Sequence, residues 1–434
     1  MDFRKILNFI NPHPEIGGLE INDGYLRFAS IKGKKTKFFS LKLPPKIVED
    51  GKVKDKNRLF SIISDFHNQI TSGKKKKIYS IISVSDANIY TEIFSVPKSA
   101  SANLEEAANL NLQMISPIDF NAAYSDWQLL GEKNLDGAAQ MEFLGAFVPK
   151  TIIDDFEDVL TKAGFEVVAI EFPALAIVKS LSELGEGVFK GENYLLFRIE
   201  SDGLAFGLIK NGDLYFLHFV SWSSAYGEER NVSFESLKNL IISEIQKVLS
   251  FYETHWGGSL NNLLLITPTL TKEISKIISE NFPGISLQIP ALKTFKNLTS
   301  SWFSVLGTAL RGTVPRSKDN LISLAAAGTE EKFKYYETIS FIKLWRSVVL
   351  TFLSVILIFF ALLDVIFSNN LNQLNSKLGE LYLNPQINKL NELKSEAESF
   401  NQKSSLLYKA YQERIKWSLF LKKINSLANN DAAI

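Results

Sequence analysis

Short apolar strands and amphipathic helices alternate along the chain up to about residue 312. Strand patterns joined by Asn-Asp-Gly and Lys-Gly turns fill Ile16–Lys42, and the apolar spacing over Leu59–Ile70 predicts a helix with one buried face. A second group of three strands fills Tyr194–Val220, and Ser233–Thr254 then has the spacing of a long amphipathic helix. Each half opens with three strands and continues with a helix, so the pattern predicts a duplicated α/β fold.

Further strands and helices are predicted between and after these two groups. The predicted strands are Ile78–Val84, Ile89–Val96, Ala122–Leu130, Met141–Pro149, Val167–Glu171, Leu263–Thr267 and Leu287–Pro290. The predicted helices are Leu104–Ser116, Thr151–Ala163, Pro173–Leu184, Thr271–Asn281 and Ser304–Leu310. A glycine closes one of these helices and a proline opens another, which are the residues that helix ends prefer.

The segment Trp345–Phe367 breaks this alternation because it is almost uniformly apolar. Its stretch Val348–Leu363 carries no charge, and about 20 mostly apolar residues suffice for a helix to cross a bilayer. Positive residues before this uncharged stretch and Asp364 directly after it favour a cytoplasmic N-terminal part and an extracytoplasmic C-terminal tail. The alternative is a buried helix of a soluble domain. The positive residues are Lys332, Lys334, Lys343 and Arg346.

Leucines at heptad spacing continue after the apolar segment. They are Leu371, Leu374, Leu378 and Leu381, and the pattern resumes at Leu390 and Leu393 after a break at Asn384-Pro385. Such a seam is typical of a helix that pairs with a like or related helix, so we predict an oligomer formed through the tail 368–434. A single amphipathic helix that packs on its own domain is the alternative.

Composition excludes several classes of function. The chain has 47 acidic and 48 basic residues, and a net charge of +1 argues against a protein that holds nucleic acid by neutralising phosphates. Because cysteine is absent and the four histidines have no HExxH spacing, we expect no metal site. Lys74–Lys77 is a basic run that fits either contact with anionic lipid or a solvated turn.

Several motifs occur in the order found in the actin-like type IV pilus assembly protein PilM. They are Gly18-Leu19-Glu20-Ile21-Asn22-Asp23-Gly24, Leu43-Pro44-Pro45, Tyr124, Asp126, Trp127, Phe147-Val148-Pro149-Lys150 and the closing Gly307, Ala309, Leu310 and Arg311. The resemblance covers residues 16–312. It implies an actin-like (ribonuclease H-like) duplicated fold with an inserted subdomain at about 86–170, preceded by an N-terminal extension over 1–15.

The following segment resembles a second pilus protein, PilN. Asn320, Leu321, Ile322, Ser323 and Leu324 resemble the short cytoplasmic motif that docks in a PilM groove, here on a linker over 313–344. The linker leads to the span 345–367 and to the PilN-like tail. This layout is also that of GspL, the type II secretion protein. It implies an inner-membrane platform subunit whose motif occupies its own groove or a neighbour's, with PilN- and PilO-like partners and the cytoplasmic assembly ATPase.

The residues needed for nucleotide chemistry depart from the pattern of actin-like ATPases. That family uses glycine-rich hairpins whose backbone N–H groups reach the phosphates, with an acidic residue in each. The first hairpin has Glu20 in place of the Asp and Asn22 in place of the first glycine, followed by Asp23 and Gly24. In the second hairpin Arg198 and Glu200 stand at the places of the expected Asp-x-Gly, and an arginine there cannot bind magnesium.

The loop expected under the adenosine is also altered. It reads Thr267-Pro268-Thr269-Leu270 and contains no glycine. Three altered sites together predict a chain without catalytic residues or a cofactor, in which the first hairpin is an ordinary turn. One alternative is an active, membrane-tethered ATPase or sugar-kinase-like enzyme that binds Mg-ATP at these hairpins. Another is a membrane anchor whose cytoplasmic domain binds something else.

Overall fold

The computed structural model describes most of the chain. The described residues are 14–33, 35–98, 103–135, 138–188, 191–226, 233–296, 298–382, 385–413 and 417–428. The predicted N-terminal extension lies almost wholly outside them, as does Asn384 at the predicted break in the tail. The chain divides into two compact units, Met1–Lys343 and Leu344–Ile434.

The strands and helices are numbered in chain order. The strands are β1 Ile16–Ile21, β2 Tyr25–Lys32, β3 Lys35–Lys42, β4 Val48–Glu49, β5 Lys52–Val53, β6 Ile78–Val84, β7 Tyr90–Pro97, β8 Ala123–Leu135, β9 Ala138–Pro149, β10 Phe165–Glu171, β11 Gly185–Glu186, β12 Tyr194–Ile199, β13 Gly203–Lys210, β14 Asp213–Ser221, β15 Asn262–Ile266, β16 Ser286–Gln288 and β17 Ala291–Leu292. The helices are α1 Lys56–Thr71, α2 Leu104–Ile115, α3 Lys150–Lys162, α4 Pro173–Leu184, α5 Trp222–Tyr226, α6 Phe234–Trp256, α7 Thr271–Asn281, α8 Phe303–Arg311, α9 Thr329–Tyr382, α10 Pro385–Gln412 and α11 Trp417–Ala428.

Two sheets of the same topology form the core of the first unit. In lobe I the order is β10-β6-β1-β2-β3, with β1, β2 and β3 antiparallel and with β6 and β10 parallel to β1. In lobe II the order is β14-β13-β12-β15-β16, again with three antiparallel strands followed by two parallel ones. This repetition confirms the predicted duplicated α/β fold.

Apolar faces of the sheets and helices hold each lobe together. In lobe I, Leu19 of β1 and Phe66 of α1 belong to one buried cluster. In lobe II, the rings of Phe197 and Phe206 stack with centroids 4.8 Å apart, and Ile245 of α6 belongs to the same buried cluster. Burying such side chains supplies the main driving force for folding.

A third sheet, of order β7-β9-β8, is inserted within the chain of lobe I. It packs against α2 through Phe94, Phe143 and Leu112, which are all buried. The segment lies between β6 and β10, where the resemblance to PilM places the inserted subdomain.

Two glycines allow helix α8 to lie unusually close to its neighbours. A Cβ atom on Gly307 would lie 1.8 Å from the carbonyl oxygen of Ala176 in α4. A Cβ atom on Gly18 of β1 would lie 2.6 Å from the backbone of Val305 and Ala309 in α8. Both glycines belong to the motifs that resemble PilM, and packing accounts for both, because no other residue leaves room for such contacts.

Helix α9 begins at Thr329, well before the apolar segment predicted to start at 345. Its first turns pack on lobe I, where Phe333 is buried and its ring centroid lies 5.8 Å from that of Tyr79. Part of the predicted linker 313–344 is therefore helix. Sequence reasoning missed this because polar side chains surround the few residues that make contact.

Among the described residues, α9 is the one helix long and apolar enough to cross a membrane. The remainder of α9 forms the second unit together with α10 and α11, which confirms the predicted helical tail. The seam leucines are exposed: Leu371, Leu374, Leu378, Leu381, Leu390 and Leu393. Pairing through this seam stays a prediction.

Candidate functional site: a bridged cleft and a docked segment

The two turns that the resemblance aligns with the phosphate hairpins of actin-like ATPases touch each other across the cleft between the lobes. Asn22, Asp23 and Gly24 join β1 to β2 in lobe I, and Ser201 lies in the turn from β12 to β13 in lobe II. The Ser201 hydroxyl donates a hydrogen bond to Asn22 Oδ1 over 3.1 Å. A Cβ atom on Gly24 would lie 3.0 Å from the Cβ of Ser201, so protein atoms already fill this position.

The polar side chains of the first turn hold its own backbone and a neighbouring one. Asn22 Oδ1 accepts hydrogen bonds from the N–H groups of Gly24 at 3.0 Å and Tyr25 at 2.8 Å. The Asp23 carboxylate accepts from the N–H groups of Asp50 at 2.8 Å and Gly51 at 3.0 Å. The bonds to Asn22 are local ones that stabilise the turn, whereas those to Asp23 fix the turn to the distant segment at Asp50 and Gly51.

A buried ion pair joins the two lobes next to these turns. Arg198 of β12 is 2% exposed, and its Nη2 donates to Asp86 Oδ2 over 2.5 Å. Asp86 follows β6 of lobe I and also accepts from the N–H of Ala174 at 3.3 Å. Beside it, the Ser85 hydroxyl of lobe I donates to Asp202 Oδ2 of lobe II over 2.5 Å. Arg198 therefore binds a carboxylate of the opposite lobe.

A second arginine connects the lobes through two glutamates. Arg27 Nη1 of β2 lies 3.3 Å from Glu20 Oε2 in lobe I and 3.9 Å from Glu200 Oε2 in lobe II. All three residues are buried. We call the whole set of buried charges the cleft network, which comprises Glu20, Arg27, Asp86, Arg198, Glu200 and Asp202.

Burial dominates the electrostatics of the cleft. It raises the pKa of Glu20, raises the pKa of Glu200 to about 7, and raises the pKa values of Asp86 and Asp23 to about 6. Burial also lowers the pKa of Arg198, but the surrounding carboxylates outweigh it and the net shift is upward. The four carboxyl groups of the cleft network share two guanidinium groups, and the upward pKa shifts of Glu20, Asp86 and Glu200 favour the neutral forms of these three side chains.

The residues of the cleft do not fit a magnesium nucleotide. Among the described residues, no group of three or more His, Cys, Asp or Glu side chains is arranged to hold a metal ion. The four carboxyl groups of the cleft network outnumber its two guanidinium groups, and both guanidinium groups already contact carboxylates of the network. Glu20 Oε1, Asn22 Nδ2, Arg198 Nε and Asp202 Oδ1 are buried and have no hydrogen-bond partner within the described part of the chain. These four atoms mix donors with acceptors, which does not match the acceptor-only oxygens of a phosphate.

A second site lies where the predicted docking motif meets lobe I. We call Asp319–Leu324 the strap. The N–H of Leu324 donates to the carbonyl of Ile170 in β10 over 2.8 Å, and the N–H of Ser323 donates to Asp126 Oδ2 in β8 over 2.7 Å. The strap thus lies in a groove between the edge strand of lobe I and the inserted subdomain.

Arg311 at the end of α8 binds the strap through most of its guanidinium group. Its Nη1 donates to Glu171 Oε2 at 2.7 Å and to the carbonyl of Ile322 at 2.8 Å. Its Nη2 donates to the carbonyl of Leu321, and its Nε donates to Asp319 Oδ2, both at 2.7 Å. Arg311 is 1% exposed, so these charge-assisted bonds form away from water, where they are strong.

The apolar side chains of the strap complete the core of lobe I. Ile322 and Leu324 are fully buried and belong to the same cluster as the sheet residues, whereas Asn320 is exposed. The structure therefore places Ile322, Ser323 and Leu324 in the groove of their own domain. Sequence reasoning noted Arg311 and Asp126 as motif matches but missed their role, because their partners lie far away in the sequence.

Comparison with solved structures places this fold among actin-like proteins. The PilM–PilN type IV pilus biogenesis complex aligns at 16% identity with a TM-score of 0.55, covering 70% of this chain and 100% of that chain. The cytoplasmic domain of EpsL, an inner-membrane component of the type II secretion system of Vibrio cholerae, aligns at 12% identity and TM-score 0.39, covering 73% and 99%. A Bacteroides thetaiotaomicron protein with an actin-like ATPase fold aligns at 10% identity and TM-score 0.41, covering 70% and 98%.

Comparisons by sequence found no match to the chain, either among protein-family profiles or among curated proteins. The structural likeness to PilM, together with the duplicated sheets, confirms the predicted actin-like fold.

Proposed function

We propose that the chain is a non-catalytic, membrane-anchored scaffold in the inner-membrane platform of a type IV pilus or related secretion machine. The observation that carries this proposal is the strap, because it fixes lobe I to the segment that leads into α9. A solved relative of the same fold is a pilus biogenesis complex of PilM with PilN, which supports the assignment.

The strap occupies the groove within the same chain. A short connection over 312–318 joins α8 to the strap, so its effective concentration at the groove is in the range of about millimolar or above. A docking motif on a separate protein would have to displace it. We therefore propose that this chain combines the roles that PilM and PilN divide between two proteins.

The cleft network supports a role without catalysis. Contacts between side chains connect the lobes at the turns where an actin-like ATPase binds phosphate. The scaffold would then keep one arrangement of the lobes with no nucleotide between them. An active ATPase remains the competing hypothesis, and none of the contacts described above favours it.

Membrane orientation belongs to the same proposal. Basic residues before the apolar stretch favour a cytoplasmic Met1–Lys343 and a tail on the outside. The chain has no cysteine, so Glu186→Cys and Lys403→Cys each introduce one label site, and both positions are exposed. On intact spheroplasts, a membrane-impermeant maleimide should label the Lys403→Cys variant. Labelling of the Glu186→Cys variant instead would contradict the orientation.

Crosslinking in native membranes tests the scaffold role. Full-length chain should capture PilN- and PilO-like inner-membrane proteins through the leucine seam, and the cytoplasmic assembly ATPase through its N-terminal unit. The variant Leu374→Lys/Leu378→Lys should no longer capture the PilN- and PilO-like proteins, because charge disrupts a helix seam. The matched control Asn372→Lys/Ser376→Lys adds the same charge at neighbouring non-leucine positions and should keep them. Capture of no pilus or secretion protein by the wild-type chain would refute the proposal.

A further inference from the structure

The lysine run 74–77 lies against the first turns of α9. All four lysines are exposed. The last of them, Lys77, forms an ion pair with Glu166 of β10, and its Nζ lies 5.0 Å from the centre of the Tyr336 ring. Tyr336 also packs its ring against Tyr79, with centroids 5.9 Å apart. These contacts fix the position of the run relative to α9.

Further positive charge lies on the same turns of α9. Lys332 pairs with Glu166 at 3.3 Å, so one buried carboxylate binds both the run and the helix. Seven lysines meet five glutamates in this region, which leaves two net positive charges, whereas the whole chain carries +1. The lysines are Lys74, Lys75, Lys76, Lys77, Lys332, Lys334 and Lys343, and the glutamates are Glu157, Glu166, Glu330, Glu331 and Glu337.

The apolar segment begins a short distance further along α9. Trp345 follows Tyr336, which contacts the run, by nine residues in the sequence. Lysines and arginines next to the cytoplasmic end of a membrane span are the pattern that attracts anionic lipid headgroups.

We propose that Lys74–Lys77 binds the anionic phospholipid headgroups of the bilayer that α9 enters. The inference rests on the proposed membrane anchoring and adds a second contact to it. Exposed lysines in a row match the closely spaced phosphates of such a surface, and each lysine near it adds to the attraction. Lobe I would then be held against the membrane by α9 and by the run together.

Fluorescence quenching in nanodiscs tests this contact with the full-length chain. Asn68 is exposed at the end of α1, next to the run, so Asn68→Cys carries the fluorophore and leaves every lysine in place. Headgroup-labelled quencher lipids report how close the fluorophore lies to the bilayer. We expect quenching in discs of phosphatidylglycerol to exceed that in phosphatidylcholine severalfold, and to fall at about 0.5 M NaCl, because salt shortens the electrostatic range.

Charge removal provides the decisive comparison. Lys74→Gln/Lys75→Gln/Lys76→Gln should reduce quenching in phosphatidylglycerol discs to the phosphatidylcholine level, with Lys77 kept for its contacts. The control Lys35→Gln/Lys37→Gln/Lys42→Gln removes three exposed lysines from β3, at the opposite edge of the sheet, and should leave quenching unchanged. Equal quenching in both lipids, or equal loss in both variants, would overturn the proposal. Failure of the chain to enter the discs would overturn the anchoring as well.

Discussion

At the scale of single residues, the cleft depends on two guanidinium groups that are shared among four carboxyl groups. Arg198 contacts Asp86 of the opposite lobe, and Arg27 lies between two glutamates. Removal of one member of a buried ion pair leaves the other charged and desolvated, which costs more than the intact pair contributes. The arginines therefore govern the stability of the lobe interface.

Replacement of Arg198 by methionine should destabilise the protein strongly. We expect Arg198→Met to lower the free energy of unfolding by about 3–5 kcal/mol, because Asp86 loses its buried partner. Urea unfolding followed by tryptophan fluorescence measures the change. The double variant Arg198→Met/Asp86→Leu should recover part of the loss. In the control Lys162→Met, which breaks an exposed pair with Asp158, the change should stay below about 1 kcal/mol.

The raised pKa of Glu200 predicts a pH dependence. Its pKa rises from 4.5 to about 7 on folding, so the stabilisation from its protonation is complete below about pH 4.5 and is lost as pH rises through about 7. The unfolding midpoint of the wild type should fall more steeply between these values than that of Glu200→Gln, whose amide does not titrate. The exposed-site control Glu186→Gln should follow the wild type. Parallel curves for wild type and Glu200→Gln would contradict the prediction.

Sequence alone identified some residues of the cleft and missed others for a clear reason. Four of its residues were recognised because each lies in a recognisable strand or turn: Glu20, Asn22, Arg198 and Glu200. Asp86 and Asp202 were missed, because their partners come from the other lobe. A pairing that depends on how two lobes meet leaves no local signal in the sequence.

At the scale of elements, the strap is an irregular segment that lies beside the edge strand β10 and is anchored by buried side chains. One backbone hydrogen bond to β10, four bonds from Arg311 to its surroundings and two buried side chains hold it in place. A soluble fragment that ends at Lys318 would lose the whole strap. A fragment that ends at Lys343 keeps it and matches the boundary of the first unit.

The buried leucine of the strap should contribute measurably to stability. Leu324→Ala removes a fully buried side chain, so we expect a loss of about 2–5 kcal/mol in the free energy of unfolding. Asn320→Ala changes an exposed residue of the same segment and should stay within about 0.5 kcal/mol of the wild type. Equal small effects of the two variants would mean that the strap is not bound in the groove in solution.

Close packing of α8 predicts that Gly307 tolerates no side chain. In Gly307→Ala the new methyl group would meet the backbone oxygen of Ala176. The free energy of unfolding should therefore fall by more than ordinary overpacking costs, which is about 1–3 kcal/mol. Gly284→Ala is the control, because no atom lies within 4 Å of its added Cβ. Thermal unfolding of both variants measures the difference. A Gly307→Ala protein as stable as the control would contradict this packing.

Elements with strong local signals were predicted well, and elements that depend on distant contacts were not. The helix Pro173–Leu184 was predicted to the residue, since a proline opens it. The start of α9 was missed, because Phe333 anchors an otherwise polar stretch through contact with Tyr79. The two-residue pairing of β11 with β17 was missed as well, since only tertiary contact creates it.

At the scale of the whole molecule, a duplicated actin-like domain leads through α9 into an apolar segment and a helical tail. The order of motifs over 16–312 predicted this fold, although each motif alone is short. The bridging of the cleft by its own side chains was predictable only indirectly, from the glycines and acidic residues that the hairpins lack. The proposed scaffold role requires that the lobes keep this bridged arrangement.

Calorimetric titration of the full-length chain in detergent with Mg-ATP tests the central claim most directly. Because the cleft network connects the lobes where a nucleotide would bind, we predict no saturable heat up to about 1 mM ligand, which corresponds to a binding free energy weaker than about −4 kcal/mol. Stoichiometric binding with a dissociation constant of about 1 μM would correspond to about −8 kcal/mol. That result would contradict the account, because the cleft would have to open and the network to part.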